Sequence, residues 1–360
     1  MRTAVLWCVL SASALGAEAK PFARLPQVPV GIAASSEGRV FVSFSRAIDP
    51  KVTMSVAELV DGEPQPFPPG FEQGEGPAGP DRLLSVQSVF VDAKDRLWML
   101  DTGKVGQKPV APETVKLVAY DLKKNAVVYR VIFSAAVAGP ESFVNDLRVD
   151  LQRGEQGVIY LTDAAPKGPN GILVVDIASG KVTRALQDHR SVRPDPGVKI
   201  YVERRELIQT KGPDKGKPFM VGADGIALSP DGKWLYYCPL TSHRLYRVPT
   251  DALFEPDATG AVEDLGDKGF AADGMWMDGN GALYSTDYES GAVKRRMPNG
   301  SWELLARGIS WPDTFAQLPD GRLLVTATQI HRSDRFRSKD ERAKPFQIHA
   351  VDVKPRLGLR

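Results

Sequence analysis

A hairpin pattern recurs six times along the chain, and this repeat constrains the fold more than any other feature. Each copy has a short apolar strand, a turn rich in Asp, Gly, Asn or Lys, and a second strand of β-branched, Leu or aromatic residues. Turns such as "SPDGK", "DGNGA" and "LPDGR" place Gly where a tight hairpin needs a positive φ. The six copies begin at Val30, Gln87, Asn145, Asp224, Asp273 and Asp313.

Most copies continue into a third strand-like run, and repeats of three or four antiparallel strands, roughly 40 to 80 residues apart, are typical of propeller blades. The sequence therefore predicts an all-β fold, a six-bladed β-propeller with antiparallel blades around a central channel. It predicts one such domain over residues 20–360. A ring of small sheets leaves open edges unless it closes, so we expect residues 21–27 to add an outer strand to the last blade.

The first 19 residues have the layout of a secretory signal peptide. Arg2 precedes an apolar run from Ala4 to Leu15, and small residues follow at Ala17 and Ala19. The run is too short for a lasting membrane anchor, and a buried N-terminal helix is the alternative. Cleavage would leave only Cys238, so no intramolecular disulfide could form. The sequence predicts a secreted or periplasmic protein with no membrane contact after signal cleavage.

The charge balance argues against a nucleic-acid partner. The chain has 46 Lys and Arg residues against 44 Asp and Glu, a formal net charge of +2. Nucleic-acid binding normally needs a concentrated basic face, which this balance does not indicate. A small-molecule ligand or substrate is the partner that we expect.

The residue before the first strand of each repeat holds the same position in every blade, facing the channel axis. Five of these six residues are polar, and Val30 is the exception. Like charges crowded around one axis raise a pKa or recruit a cation. We therefore predict catalytic roles for Asp224 and Asp273, and ligand binding for Gln87, Asn145 and Asp313.

The second strand of each hairpin returns to the same face and brings further candidates. Asp101, Asp163 and Asp287 end such strands and are predicted to bind ligand, and His331 is a candidate general acid. The alternative is that these Asp residues cap turns or bond backbone amides between blades. A lone His is also more often structural than catalytic.

Several motifs resemble the major royal jelly protein/Yellow family. They occur in order over roughly residues 80 to 350, and the central one is quite specific: "RLWMLDTG" (96–103), "FVNDLRVD" (143–150), "GIALSPDGKWLYYCPLTSHRLYRVPTDAL" (225–253), "WPDTF" (311–315) and "ATQIHR" (327–332). The resemblance implies a secreted six-bladed propeller. Bacterial members are commonly labelled dopachrome tautomerase-related, and insect members are linked to pigment chemistry, nutrition and the binding of small amines. The chain lacks the paired cysteines of insect members.

A more distant likeness is to gluconolactonase-type propellers, which implies a divalent metal on the axis. Their pattern has Glu, Asn, Asn and Asp at the strand starts. In this chain Asn145 and Asp273 match, Asp224 replaces an Asn, and Val30 stands in place of the Glu. Asp313 could supply a compensating ligand, and such an oxygen-only set would suit Ca²⁺ or Mg²⁺.

Three functions therefore stay open: a tautomerase-like isomerase, a metal-dependent lactonase or related hydrolase, and a non-catalytic binder of small amines. The long connection over residues 188–222 is either a lid over the channel or an outer strand with a surface loop. The loop over residues 104–112 leaves the same face. Lys and Arg residues of both segments could draw an anionic substrate to the acidic mouth.

Overall fold

Six antiparallel sheets form a ring in the computed structural model, which describes residues 16–353. The innermost strands of consecutive blades contact each other, and the innermost strand of the last blade contacts that of the first. The ring is therefore closed, and the prediction of a six-bladed β-propeller is confirmed. Residues 1–15, which hold most of the predicted signal segment, lie outside the described residues.

Each blade is built outwards from the channel, one strand after another. Blades 1 to 3 comprise Ile32–Ala34, Val40–Ser43, Val56–Val60 and Glu63–Pro66; Val86–Val91, Arg96–Asp101, Lys116–Asp121 and Ala126–Ile132; Val144–Asp150, Val158–Asp163, Gly171–Asp176 and Val182–Ala185. Blades 4 to 6 comprise Ala223–Leu228, Trp234–Pro239, Arg244–Pro249 and Glu263–Asp267; Met275–Met277, Leu283–Asp287, Ala292–Arg296 and Trp302–Arg307; Pro312–Gln317, Leu323–Ala327, Phe346–Val351 and Lys20–Leu25.

The remaining elements are short and lie between blades or at their rims. They are the parallel strand pair Glu72–Gln73 and Arg82–Leu83, the hairpin Tyr201–Val202 and Arg205–Glu206, and the 3-10 helices Thr250–Phe254, Thr259–Ala261 and Ile330–Arg332. No helix among the described residues has the length and apolar character needed to cross a membrane.

The N-terminal strand closes the ring, as the open edge of the last blade requires. Lys20–Leu25 pairs antiparallel with Phe346–Val351, which confirms the closing strand predicted at residues 21–27. Ala17–Glu18 pairs parallel with the outer strand of blade 5. The first and last parts of the described chain are thereby held together by sheet hydrogen bonds.

Apolar side chains fill the spaces between neighbouring blades. Val42 of blade 1 packs with Leu324 of blade 6, and Trp98 of blade 2 packs with Leu147 of blade 3. Each blade is covered on both faces by its neighbours, which explains the nearly continuous apolar runs of the middle strands. The core is thus a circle of interfaces around a polar axis.

Glycine allows the inner strands to approach closely around that axis. A Cβ atom added at Gly274 would lie 1.9 Å from the carbonyl oxygen of Asp313, and one at Gly225 would lie 2.5 Å from that of Asp273. Each of these glycines directly follows an axial aspartate. The "DG" pairs of blades 4 and 5 therefore serve strand packing, and they bring Asp224, Asp273 and Asp313 close together.

Hydroxyl groups on second strands fix the backbone of the axial residues. Ser43, Thr162 and Thr326 donate hydrogen bonds of 2.8–3.1 Å to the carbonyl oxygens of the axial residues in the following blades, which are Gln87, Asp224 and Val30. Because this contact repeats in three blades, the axial positions share one backbone geometry.

Candidate functional site

A cavity that is open to solvent lies at the mouth of the channel. Its floor consists of Gln87, Asn145, Asp224, Asp273 and Asp313, the five polar residues that begin the blades. A smaller polar cavity lies on the far side of this floor and reaches Val30, Ser88, Asp146, Gly274 and Thr314. The structure therefore brings all six strand-start residues to one place.

The three axial carboxyl groups are almost completely removed from water, and their exposures are only 5–6 %. Burial, together with the charges of Asp273, Asp313 and Asp146, raises the pKa of Asp224 well above its usual range. Burial and the charges of Asp273 and Asp146 likewise raise the pKa of Asp313. Burial raises the pKa of Asp273 to about 7, although a hydrogen bond from Trp311 works in the opposite direction.

Asp224 and Asp273 are electrostatically coupled across the axis, and the charge of Asp273 raises the pKa of Asp224. Neighbouring buried carboxyl groups do not both ionise readily, so one of them keeps its proton to higher pH. The side chain of Asn145 opposes the rise in the pKa of Asp224, and the indole nitrogen of Trp311 donates to Oδ2 of Asp273 at 2.6 Å. The two carboxyl groups therefore have different neighbours, an amide and an indole.

No basic side chain among residues 16–353 neutralises these three carboxyl groups, since their partners are other acids, amides, a hydroxyl and an indole. Arg148 is close, but it pairs with Asp146 at 3.1 Å. Oε1 of Gln87, a residue only 5 % exposed, also has no hydrogen-bond partner within the described part of the chain. The floor therefore offers unsatisfied acceptors to a ligand.

The cavity walls are apolar and the rim is charged. The apolar wall residues are Ile48, Phe143, Phe219, Val221, Leu240 and Ile330, and the charged residues are Lys104, Glu141, Lys167, Asp214 and Arg335. Phe219 and Val221 belong to the connection over residues 188–222, so part of that connection forms the cavity wall. Its backbone is tied to the segment between the second and third strands of blade 6, because the N–H of Thr210 donates to the carbonyl of Arg335 at 2.7 Å.

The predicted ligand-binding residues Asp101, Asp163 and Asp287 do not reach this cavity, which corrects their expected placement. Each accepts backbone N–H or side-chain hydroxyl bonds at the end of its own strand. Each also forms an ion pair of 2.7–2.8 Å inside its own blade: Lys116 binds Asp101, Arg184 binds Asp163 and Lys294 binds Asp287. These three residues satisfy the backbone and cap strands, the alternative that the sequence had left open.

His331 also lies outside the axial cavity, so it does not face the floor as the predicted general acid should. Its ring stacks on Trp311 at 5.8 Å, and its Nε2 lies 3.2 Å from Glu203 in a separate side pocket. Burial lowers the pKa of His331. The preceding residue, Ile330, points into the axial cavity instead.

Sequence reasoning did not single out Trp311. It stacks on Tyr288 at 4.2 Å and binds Asp273 through its indole N–H. Its φ of 58° lies in the left-handed region, where a bulky side chain is uncommon and strained. The "WPDTF" motif, in which Trp311 stands two residues before Asp313, was the only signal of this role in the sequence.

The axial residues do not reproduce the metal site that the gluconolactonase likeness implies. They provide oxygen donors only, which suits Ca²⁺ or Mg²⁺ in kind. However, within the described residues no three side chains of the types His, Cys, Asp and Glu are placed to share one ion. Val30 supplies no ligand, and Oδ2 of Asp273 is bonded to Trp311. The set Asn145, Asp224, Asp273 and Asp313 does not fit the implied site, and we derive no step through a metal.

Comparison with known families shows which family this chain belongs to. The family model for major royal jelly proteins matches residues 84–305, which is more than half of the sequence. This chain belongs to the major royal jelly protein family. Its matched region extends from just before blade 2 into the outer strand of blade 5, and it includes the axial residues Gln87, Asn145, Asp224 and Asp273.

Relatives of this major royal jelly protein family member occur in insects. The Yellow-related salivary protein LJM17 of Lutzomyia longipalpis is 38% identical over 275 residues, which are 69% of this chain and 62% of that protein. Major royal jelly protein 3 of Apis mellifera is 31% identical over 180 residues, 48% of this chain and 30% of that protein. Protein yellow of Drosophila erecta is 26% identical over 252 residues, covering 65% and 44%. The chain thus spans less than two thirds of the length of these relatives.

Solved structures share the fold at low sequence identity. A calcium-binding protein, regucalcin, from Agrobacterium tumefaciens superposes with a TM-score of 0.58 at 18% identity, covering 94% of this chain and 95% of that one. A gluconolactonase from Xanthomonas campestris gives a TM-score of 0.54 at 12% identity, covering 92% and 88%. At these identities the likeness concerns the propeller fold alone.

Proposed function

We propose that this protein is an isomerase that shifts a proton on a small, ring-containing compound bound in the axial cavity. Asp224 and Asp273 act as the acid and base of this reaction. We also propose that the protein works in a secreted or periplasmic location, which the signal-like layout of residues 1–19 supports.

The single observation that carries the proposal is the pair of buried, coupled carboxyl groups at the floor of an open cavity. A pKa near 7 lets Asp273 exist in both protonation states at neutral pH, as an efficient general base requires. Burial and the charge of Asp273 raise the pKa of Asp224 well above its usual range, so Asp224 keeps a proton to donate. Two identical side chains thereby take opposite roles because their surroundings differ.

The reaction balances without an oxidant, a reductant or a cofactor. The carboxylate of Asp273 takes a proton from a ring carbon, and the electron pair of that C–H bond moves into the ring toward a carbonyl oxygen. Asp224 gives its proton to that oxygen. One proton leaves the substrate and one returns, and the shared proton of the pair is restored by exchange between the two carboxyl groups.

The cavity walls suit a flat aromatic or quinone-like substrate. Phe143 and Phe219 provide apolar surface above the polar floor, and such walls bury rings and exclude water. The resemblance to bacterial proteins labelled dopachrome tautomerase-related points to the same class of compound. Dopachrome is therefore the substrate with which to test the proposal.

A non-catalytic binder of small amines is the second candidate. Three carboxyl groups that have no basic partner in the described part of the chain would attract an ammonium group, and the aromatic walls would cover its apolar part. The third candidate, a metal-dependent lactonase, has support from the fold of structures such as the gluconolactonase, but the axial residues do not fit its metal site.

Turnover of dopachrome by the purified full chain, measured as loss of its visible absorbance, tests the proposal. We expect wild-type activity to persist in EDTA and to fall about 100-fold or more in Asp224→Asn and in Asp273→Asn. Asp231→Asn, an exposed change in the hairpin turn of the same blade as Asp224, is the matched control and should retain full activity.

Other results would favour the alternatives. Full turnover in both axial variants would exclude these residues as the acid and base. Saturable amine binding without turnover would favour the binder. Hydrolysis of a lactone that EDTA abolishes and Ca²⁺ restores would favour the lactonase.

A further inference from the structure

Two cations in the wall of the axial cavity, Lys104 and Arg335, form no ion pair with a carboxylate among the described residues. Lys104 is only 9 % exposed, and its ammonium group donates to the carbonyl oxygen of Lys108 at 3.4 Å. Arg335 donates from Nε and Nη2, at 3.1 and 2.8 Å, to the neutral side chain of Gln209. Both cations line the same cavity, so their charges face a space that a ligand can enter.

The acidic groups nearby do not neutralise the two cations. Glu141 and Asp163 act on Lys104 only through longer-range charge interactions, and Asp163 already has an arginine partner in its own blade at 2.7 Å. Asp214 acts on Arg335 in the same way but pairs with a lysine of its own loop at 3.1 Å. The two cations also repel each other, because the charge of Arg335 opposes protonation of Lys104.

Burial makes this arrangement of charges unfavourable. It lowers the pKa of Lys104, and it lowers the pKa of Arg335 to about 10. A buried cation without a counter-ion is costly. The carboxyl groups of the floor do not relieve this cost, because they are not among the described charges that act on either cation. The wall therefore needs a counter-ion of its own.

Charge and the number of free donors indicate which group would supply that counter-ion. An ammonium group has three N–H donors and a guanidinium group has five. Within residues 16–353 the hydrogen bonds occupy one donor of Lys104 and two of Arg335. A carboxylate carries one negative charge and leaves one cation unbalanced. A phosphate group carries a charge of about −1.5 to −2 at pH 7 and three strong acceptor oxygens, so it suits both cations.

We propose that Lys104 and Arg335 form a binding site for a phosphate group in the wall of the axial cavity. The phosphate lies between the ammonium and guanidinium groups and accepts charge-assisted hydrogen bonds from both. It enters either as inorganic phosphate or as a phosphate monoester whose organic part packs on the apolar wall. This inference goes beyond the proposed function, because it concerns the wall and does not use the carboxyl groups of the floor.

Neighbouring residues hold the guanidinium group of Arg335 in place. It lies 4.7 Å from the centre of the Phe219 ring and 5.6 Å from that of Phe336. The carbonyl oxygen of Arg335 accepts hydrogen bonds from the N–H and the hydroxyl of Thr210, at 2.7 and 3.0 Å. A donor that is fixed before the ligand arrives lowers the ordering cost of binding.

Three probes test the site: inorganic phosphate, phenyl phosphate, and benzoate, which carries a single negative charge on the same ring. Calorimetric titration of the wild-type full chain at pH 7.5, with chloride keeping the ionic strength constant, should show phenyl phosphate binding about 10-fold or more tightly than benzoate. Tighter binding of phenyl phosphate than of inorganic phosphate would identify a monoester as the ligand. Equal affinities for these two would identify the free anion.

Variants test whether the two named cations hold the phosphate. The affinity for both phosphate probes should fall about 10-fold in Lys104→Met and about 100-fold or more in the double variant Lys104→Met, Arg335→Gln. Lys215→Met removes the same charge from an exposed residue of the long connection that does not line the cavity, and it is the matched control. Its affinity should stay within about twofold of the wild type.

Several results would overturn the inference. They are no saturable binding of either phosphate probe by the wild type, benzoate binding as tightly as phenyl phosphate, or unchanged phosphate affinity in both variants. Lys104→Met keeps Arg335 and its packing, so this single variant decides the question even where the double variant folds poorly.

The outcome is separable from that of the proposed function. Asp273→Asn, which tests the isomerase, leaves both cations in place and should bind phosphate at least as tightly as the wild type. Phosphate binding by a wild type that does not turn over dopachrome would keep this site and reject the isomerase. Turnover that is lost in the axial variants, without phosphate binding by the wild type, would do the reverse.

Discussion

Two sets of buried aspartates lie near the mouth of the channel, and they differ in one respect. Asp101, Asp163 and Asp287, at the ends of second strands, each bind a Lys or Arg of their own blade. The three acidic residues at the starts of first strands, Asp224, Asp273 and Asp313, face one another without a basic partner among residues 16–353. Residue type and burial are nearly the same in both sets, so the partner makes the difference.

The difference separates a structural role from a chemical one. A buried carboxylate with a cation and several N–H donors is a stable part of the blade, and removing one partner leaves an uncompensated charge. A buried carboxyl group beside other carboxyl groups is unfavourable when ionised and keeps its proton to higher pH. Only the second kind can exchange protons with a substrate near neutral pH.

The largest expected effect is on catalysis, and a comparison of two aspartates in blade 5 measures it. Asp273→Asn and Asp287→Asn change the same residue type at the two ends of the first hairpin of blade 5. Asp273→Asn should lower kcat for dopachrome about 100- to 10,000-fold, because the general base is lost. Asp287→Asn should leave kcat per folded molecule unchanged. Equal losses of kcat in the two variants would contradict the difference in role between the axial and the second-strand aspartates.

The second effect is on stability, and here we expect a larger loss from the second-strand aspartates than from the axial ones. Asp101→Asn leaves the ammonium group of Lys116, which is only 2% exposed, without its charge partner. We expect the free energy of unfolding to fall by about 3–5 kcal/mol, measured by urea denaturation. The double variant Asp101→Asn, Lys116→Met should recover much of this loss.

The axial counterpart is Asp313→Asn, which removes one of the mutually repelling carboxyl groups. It should leave the free energy of unfolding unchanged or raise it. A loss as large as that of Asp101→Asn would mean that the axial set is also structural.

A third, smaller effect is on the pH dependence of ligand binding. Because the folded-state pKa of Asp273 is raised to about 7, its carboxylate becomes available to a cationic ligand only as the pH rises through that value. The affinity for tyramine should therefore increase about 10-fold between pH 6 and pH 8. The Asp273→Asn variant should lose most of this dependence, and a flat wild-type profile would contradict the raised pKa.

The smallest effect concerns Trp311. Its indole N–H holds the pKa of Asp273 below the value that burial alone would produce. Trp311→Phe keeps the stacking on Tyr288 and removes the donor, so the acidic limb of the pH–rate profile should move upward by about half a unit to one unit. A profile with the same midpoint and a lower rate would indicate a purely packing role.

The sequence predicted the axial set because the repeat itself defines the positions. Each first strand begins at the channel, so the residues that begin the hairpins had to meet once the ring closed, and even Val30 takes its place there. The Gly residues after Asp224 and Asp273 allow close strand packing, a role that the hairpin pattern did not predict.

The sequence did not show whether the second-strand aspartates are structural or ligand-binding, because their role depends on partners in other strands. Asp101 lies opposite Lys116 in the strand register, a pairing that the repeat alone does not specify. His331 was misplaced for a local reason. Gln329 has a φ of 53° and a short 3-10 turn follows, so Ile330 faces the cavity and His331 faces away.

The cations of the cavity wall could be identified as a group only in the structure. Lys104 lies in the loop after the second strand of blade 2, and Arg335 lies in the connection after the second strand of blade 6. They are 231 positions apart in the sequence. Neither lies in a repeated position. Their proximity depends on how the long connection folds over the mouth, for which the hairpin pattern carries no information.

The central claim is that the axial carboxyl groups share a proton at neutral pH. Carbon-13 NMR of the full chain labelled at the aspartate carboxyl carbons tests it directly, with Asp224→Asn and Asp273→Asn to assign the signals. We expect a coupled pair of signals that changes ionisation near pH 7 and disappears from the spectrum in either variant. Complete ionisation of both groups below about pH 5, in the range of ordinary aspartates, would contradict it.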